Sequence, residues 1–385
     1  MTKNLVNSAI VLFVFLTIIS CRDKSAPKDY HVLDFSNVKP LKTDLKDELK
    51  YRAISYGQID TADGSFLKFC YFNGIKDSLF IVMDRDKILV VEMDGHVKKR
   101  VEHVGRGPNE YLEIYSSALD KENERLFILG DYSSNKQVSV YSFSGEFLGT
   151  IPLSESGSSI CYSENSLYYT TLPESESLVR KIELDTNKDI IIQSQYTSRN
   201  RIETAIINLD HISIVDDEII YHKALCDTLF KISEDSLYPY LVLDLGEKSM
   251  PVEYHRTLDL LRSKQSSYIN VQSTTICDDM LYLCFWYNHI LYFDIWDIKA
   301  EKLVYRNFYR ENELSIMDQS KIGLPIIVNG HNLFFWPKMV ADGIVFCELS
   351  HDDAKKVISD YNPNLNHAFL MIDMLEDVGT RQNDL

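Results

Sequence analysis

Residues 88–101, ILVVEMDGHVKKRV, carry the pattern that decides the fold of this chain. An apolar run from Ile88 to Met93 leads into Asp94-Gly95, and a second strand-like run ends at Val101. Asp-Gly between two such runs favours a tight hairpin turn, because Gly and Asp tolerate the backbone angles that such turns need. The stretch therefore predicts a β-hairpin.

The same unit of strand, tight polar turn and strand occurs six times along the chain. Turns at residues 95, 145, 187, 235, 299 and 352 are spaced by 50, 42, 48, 64 and 53 residues. A four-stranded propeller blade needs about forty residues plus loops, and a further apolar strand precedes each copy. The repeat predicts an all-β fold, a six-bladed β-propeller with four-stranded antiparallel blades. The copies are 88–101, 138–151, 178–193, 229–243, 291–307 and 345–358.

A closed ring explains the repeat physically, because one blade cannot cover both of its faces and must pack on its neighbours. Closure also removes an open sheet edge. Two unrelated β-sandwiches are the alternative, but sandwiches do not require six comparable units. Residues 30–35 and 53–59 both resemble strands, and we expect one of them to complete the last blade; the sequence leaves open which.

Composition and charge limit the partners of the protein. Hydrophobic residues make up 45% of the chain and charged residues 25%, which excludes a disordered protein, a collagen and a bare coiled coil. With 40 basic and 57 acidic residues, the net charge is −17. We expect no nucleic-acid partner and no anionic lipid surface, because binding phosphate needs clustered cations.

Residues 1–20 are predicted to be a lipoprotein signal peptide. Lys3 precedes an apolar run over residues 5–19, which is shorter than the ~20 residues of a spanning helix. Ile18-Ile19-Ser20-Cys21 resembles the bacterial lipobox, in which the cysteine receives the lipid. The alternative is an ordinary signal peptide with a coincidental cysteine. We therefore predict lipidation at Cys21, a tether over residues 21–29, a single propeller domain over 30–385, and membrane contact through the lipid anchor only.

Six further cysteines are expected to be buried free thiols rather than disulfides, because most lie singly in separate apolar strands. If Asp278-Asp279 is a hairpin turn, Cys277 faces Met280. No C-x-x-C or H-x-x-x-H spacing occurs, so no metal site is predicted. The six are Cys70, Cys161, Cys226, Cys277, Cys284 and Cys347.

Residues 105–111, GRGPNEY, connect the first two blades through two glycines and a proline, which make a sharp bend. Residues 246–254 echo this connector after the fourth blade, and both segments end in Pro-x-Glu-Tyr. A motif repeated at two blade junctions favours a structural bend. The alternative is a ligand contact through Arg106 or Glu110, which are candidate binding residues.

The sequence resembles the six-bladed, TolB-like propeller lipoproteins of Bacteroidetes. The resemblance lies in the lipobox at Cys21, the connector 105–111, and the stretches CDTLFKI at 226–232 and YPYLVLDLG at 238–246. It implies a lipid-anchored protein of the bacterial cell envelope, in the outer membrane, and it supplies no catalytic residues. Residues 22–25 are mixed in charge rather than acidic, which slightly favours the periplasmic face over the cell surface.

The chain has no G-x-S-x-G, H-E-x-x-H, EF-hand loop or P-loop, which are motifs for catalysis or for binding a metal or cofactor. We predict no catalytic residue and no cofactor. Acidic residues at predicted turns are assigned mainly to turn formation, with a calcium site or an acid/base pair as the alternative. They are Asp84, Asp86, Asp216, Asp217, Asp278, Asp279, Asp352 and Asp353.

Two helices are predicted. Residues 250–268 place Tyr254, Leu258 and Leu261 at helical spacing, which predicts a helical insertion of three or four turns on one face of the propeller. It carries the candidate binding residues His255 and Arg256; the alternative is a helix that only shields loops. Residues 368–378 predict a C-terminal helix that packs against the ring.

Two functions from different classes fit these observations. The preferred hypothesis is a non-enzymatic binding module for a protein or a glycan, in which Trp286, Tyr287 or Trp296 stack on the ligand unless they belong to the core. The alternative is a lyase or hydrolase acting on a polysaccharide. Convergent polar groups with shifted pKa values in a deep pocket would favour the enzyme, and a shallow or aromatic face the module.

Overall fold

Six sheets of four antiparallel strands form the blades of a β-propeller in a computed structural model of the protein, as the sequence predicts. Each blade runs from an innermost strand at the central channel to an outermost strand at the rim. The described residues are 30–40, 50–61, 66–107, 109–130, 136–172, 177–194, 211–215, 217–223, 226–255, 258–264, 266–314, 323–337, 339–341, 343–364 and 366–375.

The blades follow one another along the chain, and in blades 1, 2, 3 and 5 the first strand is the innermost and the last is the outermost. In blades 4 and 6 a strand from the beginning of the chain is added at the outer edge. Blade 1 contains β3 (Tyr71–Lys76), β4 (Leu79–Met83), β5 (Ile88–Glu92) and β6 (Val97–Val101); blade 2 contains β7 (Ile114–Asp120), β8 (Arg125–Gly130), β9 (Gln137–Ser142) and β10 (Phe147–Pro152); blade 3 contains β11 (Gly157–Ser163), β12 (Ser166–Thr171), β13 (Ser177–Glu183) and β14 (Lys188–Ser194). Blade 4 contains β15 (His211–Val215), β16 (Glu218–His222), β17 (Thr228–Ser233) and β18 (Ser236–Asp244); blade 5 contains β19 (Asn270–Cys277), β20 (Met280–Tyr287), β21 (Ile290–Asp297) and β22 (Lys302–Arg310); blade 6 contains β25 (Met339–Ala341), β26 (Ile344–Glu348), β27 (Ala368–Leu375) and, outermost, β2 (Lys50–Gln58).

Hydrophobic clusters fill the space between adjacent blades and prove that the ring is closed. Ile81 and Val90 of blade 1 pack with Leu126 and Tyr141 of blade 2. Equivalent clusters join blades 2 and 3, 3 and 4, 4 and 5, and 5 and 6. A further cluster packs residues of blade 6, including Phe346, against blade 1. Each blade therefore buries both faces against its neighbours.

The burial of the strands follows from this packing. The middle strand β4 is buried at almost every position, because both of its faces meet another blade. The outermost strand β6 exposes Lys98, Lys99 and Arg100 to solvent instead. The apolar runs that defined the repeat in the sequence are therefore the middle strands of the blades.

The ring is closed by β2, which answers the question that the sequence left open. This strand pairs antiparallel with β27, from Gln58 opposite Ala368 to Lys50 opposite Leu375. The other predicted strand, β1 (His31–Asp34), lies parallel to β18 and adds a fifth strand to blade 4. A strand from the beginning of the chain thus completes the blade formed by its end.

The predicted helix at 368–378 is wrong, because residues Ala368–Leu375 form the strand β27. Residues 376–378 lie outside the described part. The described helix nearest to the C-terminus is instead His351–Val357, which begins where Ser350 accepts a hydrogen bond from the backbone N–H of Asp353 at 3.1 Å. The second half of the sixth predicted repeat is also wrong, because residues 351–357 form this helix rather than a turn followed by a strand.

A two-stranded hairpin of β23 (Leu324–Val328) and β24 (His331–Phe335) lies outside the four-stranded blades. Leu324, Ile326 and Leu333 pack into the cluster between blades 5 and 6. The strand expected to precede the sixth repeat, near residue 332, belongs to this hairpin; the innermost strand of blade 6 is the short β25.

The helical insertion after blade 4 is confirmed but interrupted. Gly246–Lys248 and Val252–His255 form 3₁₀ turns, and Leu258–Lys264 forms an α-helix of two turns rather than three or four. A further short helix, Glu311–Leu314, follows blade 5. Within the described residues, no helix has the length and apolar character that crossing a membrane requires.

Candidate ligand-binding mouth of the channel

A cavity of about 1500 Å³ runs through the centre of the ring and is lined by residues of all six innermost strands. Its wall is rich in uncharged polar side chains, which are supplied by the serine pairs of β7 and β11. The Asn73 side-chain amide donates to the Ser117 hydroxyl, and the Ser116 hydroxyl accepts from the Ile160 N–H at 3.1 Å, so these groups also join neighbouring blades. The cavity is therefore polar and suited to a hydrated ligand.

One end of the channel is acidic. At this end, which we name the hairpin end, each innermost strand turns back into the second strand of its blade. The turns adopt positive φ at Glu164, Asp217 and Asp278, with values of 47°, 63° and 50°. This supports the turn-forming interpretation for Asp217 and Asp278. Carboxylates lining the cavity here are Asp120, Glu122, Glu164, Asp217 and Asp278.

Asp120 is the most strongly held of these carboxylates, because only 2% of the residue is exposed. It accepts hydrogen bonds from the Arg125 Nε at 2.7 Å and from the Asn123 side chain at 2.9 Å. Burial acts to raise its pKa, but these hydrogen bonds outweigh burial and hold the pKa of Asp120 below its ordinary value. Asp120 is thus an ionised, structurally engaged group.

The opposite end, the connector end, carries an aromatic cluster that we name the mouth patch: Phe69, Tyr71, Arg85, Glu113 and Tyr115. Phe69, Tyr71 and Tyr115 are 40%, 42% and 39% exposed, although large apolar rings are usually buried. Tyr71, Arg85, Glu113 and Tyr115 line the cavity. Tyr71 opens β3, and Glu113 directly precedes β7, so the patch bridges blades 1 and 2.

The mouth patch is a continuous chain of contacts. The Arg85 guanidinium lies 4.7 Å from the centre of the Phe69 ring, and Phe69 stacks on Tyr71 at 6.1 Å with an interplanar angle of 22°. On the side of blade 2, Arg85 Nη1 lies 3.1 Å from Glu113 Oε1, and the Tyr115 hydroxyl donates to Glu113 Oε2 at 3.1 Å. The charge of Arg85 is therefore balanced within the patch.

Buried polar groups fix the backbone beneath these rings. Asp84, which is 1% exposed, accepts from the N–H groups of Lys68 at 2.7 Å, Phe69 at 3.3 Å and Arg85 at 2.7 Å. The Asn366 side chain accepts from the Leu67 N–H at 2.7 Å and so ties this segment to blade 6. The patch is thereby held in place before any ligand arrives, which lowers the entropic cost of binding.

The sequence did not single out the mouth patch. Its residues come from three separate segments that the packing of blade 1 against blade 2 brings together. The available signal was weak: Phe69-x-Tyr71 and Glu113-x-Tyr115 place large side chains at the beginning of innermost strands, where polar or small residues would otherwise face the channel.

The connector residues Arg106 and Glu110 are exposed and lie in the bend between blades 1 and 2. Glu110 Oε2 accepts from the Gly107 N–H at 2.6 Å. A Cβ atom on Gly105 would stand 1.9 Å from the same oxygen, so the glycines make room for this carboxylate. Tyr111 is 2% exposed and pairs with the backbone of His103. These contacts explain the motif as a folded bend, and ligand binding by Arg106 or Glu110 stays a prediction.

The remaining candidate binding residues do not belong to the mouth patch. His255 ends the 3₁₀ turn Val252–His255, and Arg256 lies outside the described residues, so binding by either stays a prediction. Trp296 is 5% exposed and packs in the core between blades 4 and 5, where Phe35 lies 4.9 Å from it. Its proposed stacking on a ligand is wrong, and the core interpretation is confirmed.

His211 opens β15 and lines the cavity, to which its surface is open. Loss of hydration within the channel wall, together with the neighbouring His222, lowers the pKa of His211 to about 4. It is therefore an uncharged imidazole at neutral pH. It begins its strand whereas Asp120 ends its own, so the innermost strands hold these two groups at opposite ends of the channel.

The cysteines behave as expected within the described residues. Cys70, Cys161, Cys277, Cys284 and Cys347 are buried free thiols, while Cys226 is half-buried. Cys277 lies opposite Met280 across the hairpin, as the turn at Asp278 predicts. In the described ranges, no group of three or more His, Cys, Asp or Glu side chains is arranged to hold a metal ion.

A family model described as a domain of unknown function, DUF4934, matches residues 34–377, which is nearly all of the propeller. The chain belongs to the DUF4934 family. A comparison of this DUF4934 chain with curated proteins found no match.

Crystal structures of two Bacteroides proteins share the fold of this DUF4934 chain. A predicted exported protein from Bacteroides fragilis is 15% identical, with a TM-score of 0.65 over 90% of this chain and 100% of that one. A member of the DUF4221 family from Bacteroides vulgatus is 9% identical, with a TM-score of 0.53 over 85% of this chain and 99% of that one. Identities this low establish the propeller architecture alone.

Proposed function

We propose that the protein is a lipid-anchored propeller of the cell envelope that binds a protein or a glycan, without catalysis, at the connector end of its channel. The observation that carries this proposal is the mouth patch, in which three aromatic rings about 40% exposed stand at the rim of a large polar cavity. Concave sites with a few aromatic and well-placed polar groups are where proteins bind ligands.

Preorganisation supports a binding role for this patch. The three hydrogen bonds to Asp84 and the ion pair between Arg85 and Glu113 hold the rings in one arrangement at the mouth. Exposed rings lose contact with water when a ligand covers them, which is the main source of binding free energy at such sites.

Export and lipid anchoring form the second half of the proposal. The Bacteroides fragilis protein with the same fold is described as exported, and residues 18–21 of this chain resemble a lipobox. We propose lipidation at Cys21, outer-membrane attachment and membership of the TolB-like propeller lipoproteins. A Cys21→Ala variant is expected to leave the membrane fraction of cells, while mass spectrometry detects acyl chains on the parent protein only. Equal membrane retention of both would contradict the anchor.

Binding is tested with the full chain purified in detergent. The protein and a Tyr71→Ala/Tyr115→Ala variant are immobilised separately and exposed to fractionated proteins and glycans of bacterial envelopes. We expect the parent protein to retain a component that the variant does not. Equal retention would contradict a site at the mouth. Release of shortened glycan products by the parent protein would instead support the alternative, a polysaccharide lyase or hydrolase.

A further inference from the structure

We infer that the ligand of the mouth patch is an uncharged glycan chain; this inference rests on the proposed binding function and narrows its ligand class. It follows from three properties of the site taken together: the arrangement of the rings, the balance of charge and the polarity of the channel wall.

The rings form flat surfaces on two adjacent blades. Phe69 contacts the Arg85 guanidinium and is near-parallel to Tyr71, while Tyr115 stands on blade 2 beyond the ion pair. Sugar rings present C–H groups on a flat face, and these pack well on the electron-rich face of an aromatic ring. Two ring surfaces separated by a polar pair fit successive sugar units with hydroxyl groups between them.

The charge of the site disfavours an ionic ligand. Arg85 is paired with Glu113 at 3.1 Å, so the patch offers no cation that is not already neutralised by a carboxylate. A polyanionic chain would also meet the acidic hairpin end of the same cavity and a protein whose net charge is −17. A polycation would gain most at the acidic hairpin end of the cavity, which lies at the opposite end of the channel from the mouth patch.

The channel wall distinguishes a glycan from a protein partner. Protein interfaces gain most of their affinity from apolar anchors that become fully desolvated in tight pockets. The wall beneath the mouth instead offers Asn73, Ser116, Ser159, Ser213 and the neutral imidazole of His211. These groups donate and accept hydrogen bonds without charge, directly or through water, as hydroxyl-rich chains require.

The experiment measures binding of the full chain in detergent to soluble neutral polysaccharides (glucan, mannan, galactan and xylan) and to polyanionic ones (polygalacturonate and heparin), by isothermal titration calorimetry. We expect at least one neutral chain to bind and no polyanion to do so. Tyr71→Ala and Tyr115→Ala are each expected to weaken binding about tenfold or more, because each removes a large buried contact. Tyr71→Phe should retain the affinity, since it keeps the ring face.

Tyr238→Ala is the matched control. Tyr238 is 49% exposed like the mouth rings, but it lies on β18, which three strands of blade 4 separate from the channel. Its substitution should change the affinity less than about twofold, because surface substitutions away from a site have small effects. Circular dichroism spectra and unfolding midpoints that match those of the parent show that each variant is folded.

The outcomes separate the two proposals. Preference for a polyanion, or loss of binding in about 0.5 M salt, would overturn the uncharged glycan, because screening weakens ionic contacts most. Capture of an envelope protein through Tyr71, with no neutral glycan bound, would overturn the glycan inference and leave the proposed binding function intact. Failure of every ligand class to depend on Tyr71 or Tyr115 would overturn both.

Discussion

Replacing Arg306 by methionine should destabilise the propeller strongly, because it leaves a buried carboxylate without its partner. Asp294 is fully buried and Arg306 is 5% exposed, and they face each other across β21 and β22. The Arg306 Nε donates to Asp294 Oδ1 at 2.6 Å, and Nη2 donates to Oδ2. Trp296 Nε1 also donates to Oδ2, at 3.3 Å, and cannot replace a cation.

The size of the effect follows from the burial. Breaking a buried ion pair by removing one partner costs about 3–5 kcal/mol. Unfolding entropy of about 2.1 cal/mol/K per residue, over roughly 340 folded residues, gives about 0.7 kcal/mol per degree. We therefore expect Arg306→Met to lower the free energy of unfolding by about 4 kcal/mol and Tm by about 4–7 °C. The double variant Asp294→Leu/Arg306→Met should lose less than either single variant, because no unpaired charge remains.

Thermal and urea unfolding followed by circular dichroism measure these differences. The control is Arg310→Met, which breaks the pair between Arg310 and Glu313, whose side chains are 59% and 46% exposed. It should cost at most about 0.5 kcal/mol, because exposed ion pairs contribute little. The reasoning would be refuted if Arg306→Met cost no more than this control, or if the two single effects simply added in the double variant.

Three further predictions concern other parts of the ring. The hydrogen bond from His367 to Glu348 raises the pKa of His367 above its ordinary value of about 6.5. The contribution of this contact to the stability of the folded protein is therefore complete below about pH 6.5 and is lost as pH rises through the raised pKa. The stability difference between the parent protein and His367→Gln should therefore shrink as pH increases from about 6.5 to 9, and a constant difference would contradict this assignment. Gly95→Ala should destabilise the protein clearly more than Gly330→Ala. Both glycines have positive φ (98° and 77°), but a Cβ atom at Gly95 would lie 2.3 Å from the backbone oxygen of Gln58, whereas one at Gly330 would meet nothing within 4 Å. Equal unfolding midpoints of the two variants would contradict this prediction. Titration of the native protein with a thiol reagent should label Cys226 first and the buried cysteines only on unfolding, and rapid labelling of all of them would contradict the burial of those thiols.

The blade count was predictable from sequence because each repeat is a local unit. Hairpins with short polar turns leave a signal within about fifteen residues, and the turn at Asp94-Gly95 needs no distant contact to be recognised. The first five repeats coincide with the third and fourth strands of blades 1 to 5. Local signals failed where the fold departs from this plan, in blade 6.

Two segments of that region show why. Phe369 and Ile372 lie at helical spacing, but β27 is a middle strand that is buried on both faces, so its apolar run has no alternation to reveal a strand. Ser350 and Asp353 form a helix start, which an interpretation of Asp352-Asp353 as a hairpin turn overlooked. Tertiary burial in the first case and capping in the second outweighed the pattern.

The mouth patch was not predictable because it is a product of the packing between blades 1 and 2. Tyr71 and Tyr115 are 44 residues apart in sequence, and nothing in either segment indicates that they share one rim. The Gly105–Tyr111 connector attracted attention instead, because a dense motif is easier to see than a dispersed surface. Its contacts within the bend show that the conspicuous motif forms a specific backbone turn, and ligand binding by Arg106 or Glu110 stays a prediction.

The pairing of β2 with β27 has a consequence for how the protein is made. Gln58 cannot pair until Ala368, some 310 residues later, has been synthesised, so the ribosome has made nearly the whole chain before the last blade can form. The segment that carries Phe69 is anchored by Asn366, which arrives equally late. A chain that ends before residue 366 therefore lacks both the last blade and the contact that anchors this edge of the mouth patch.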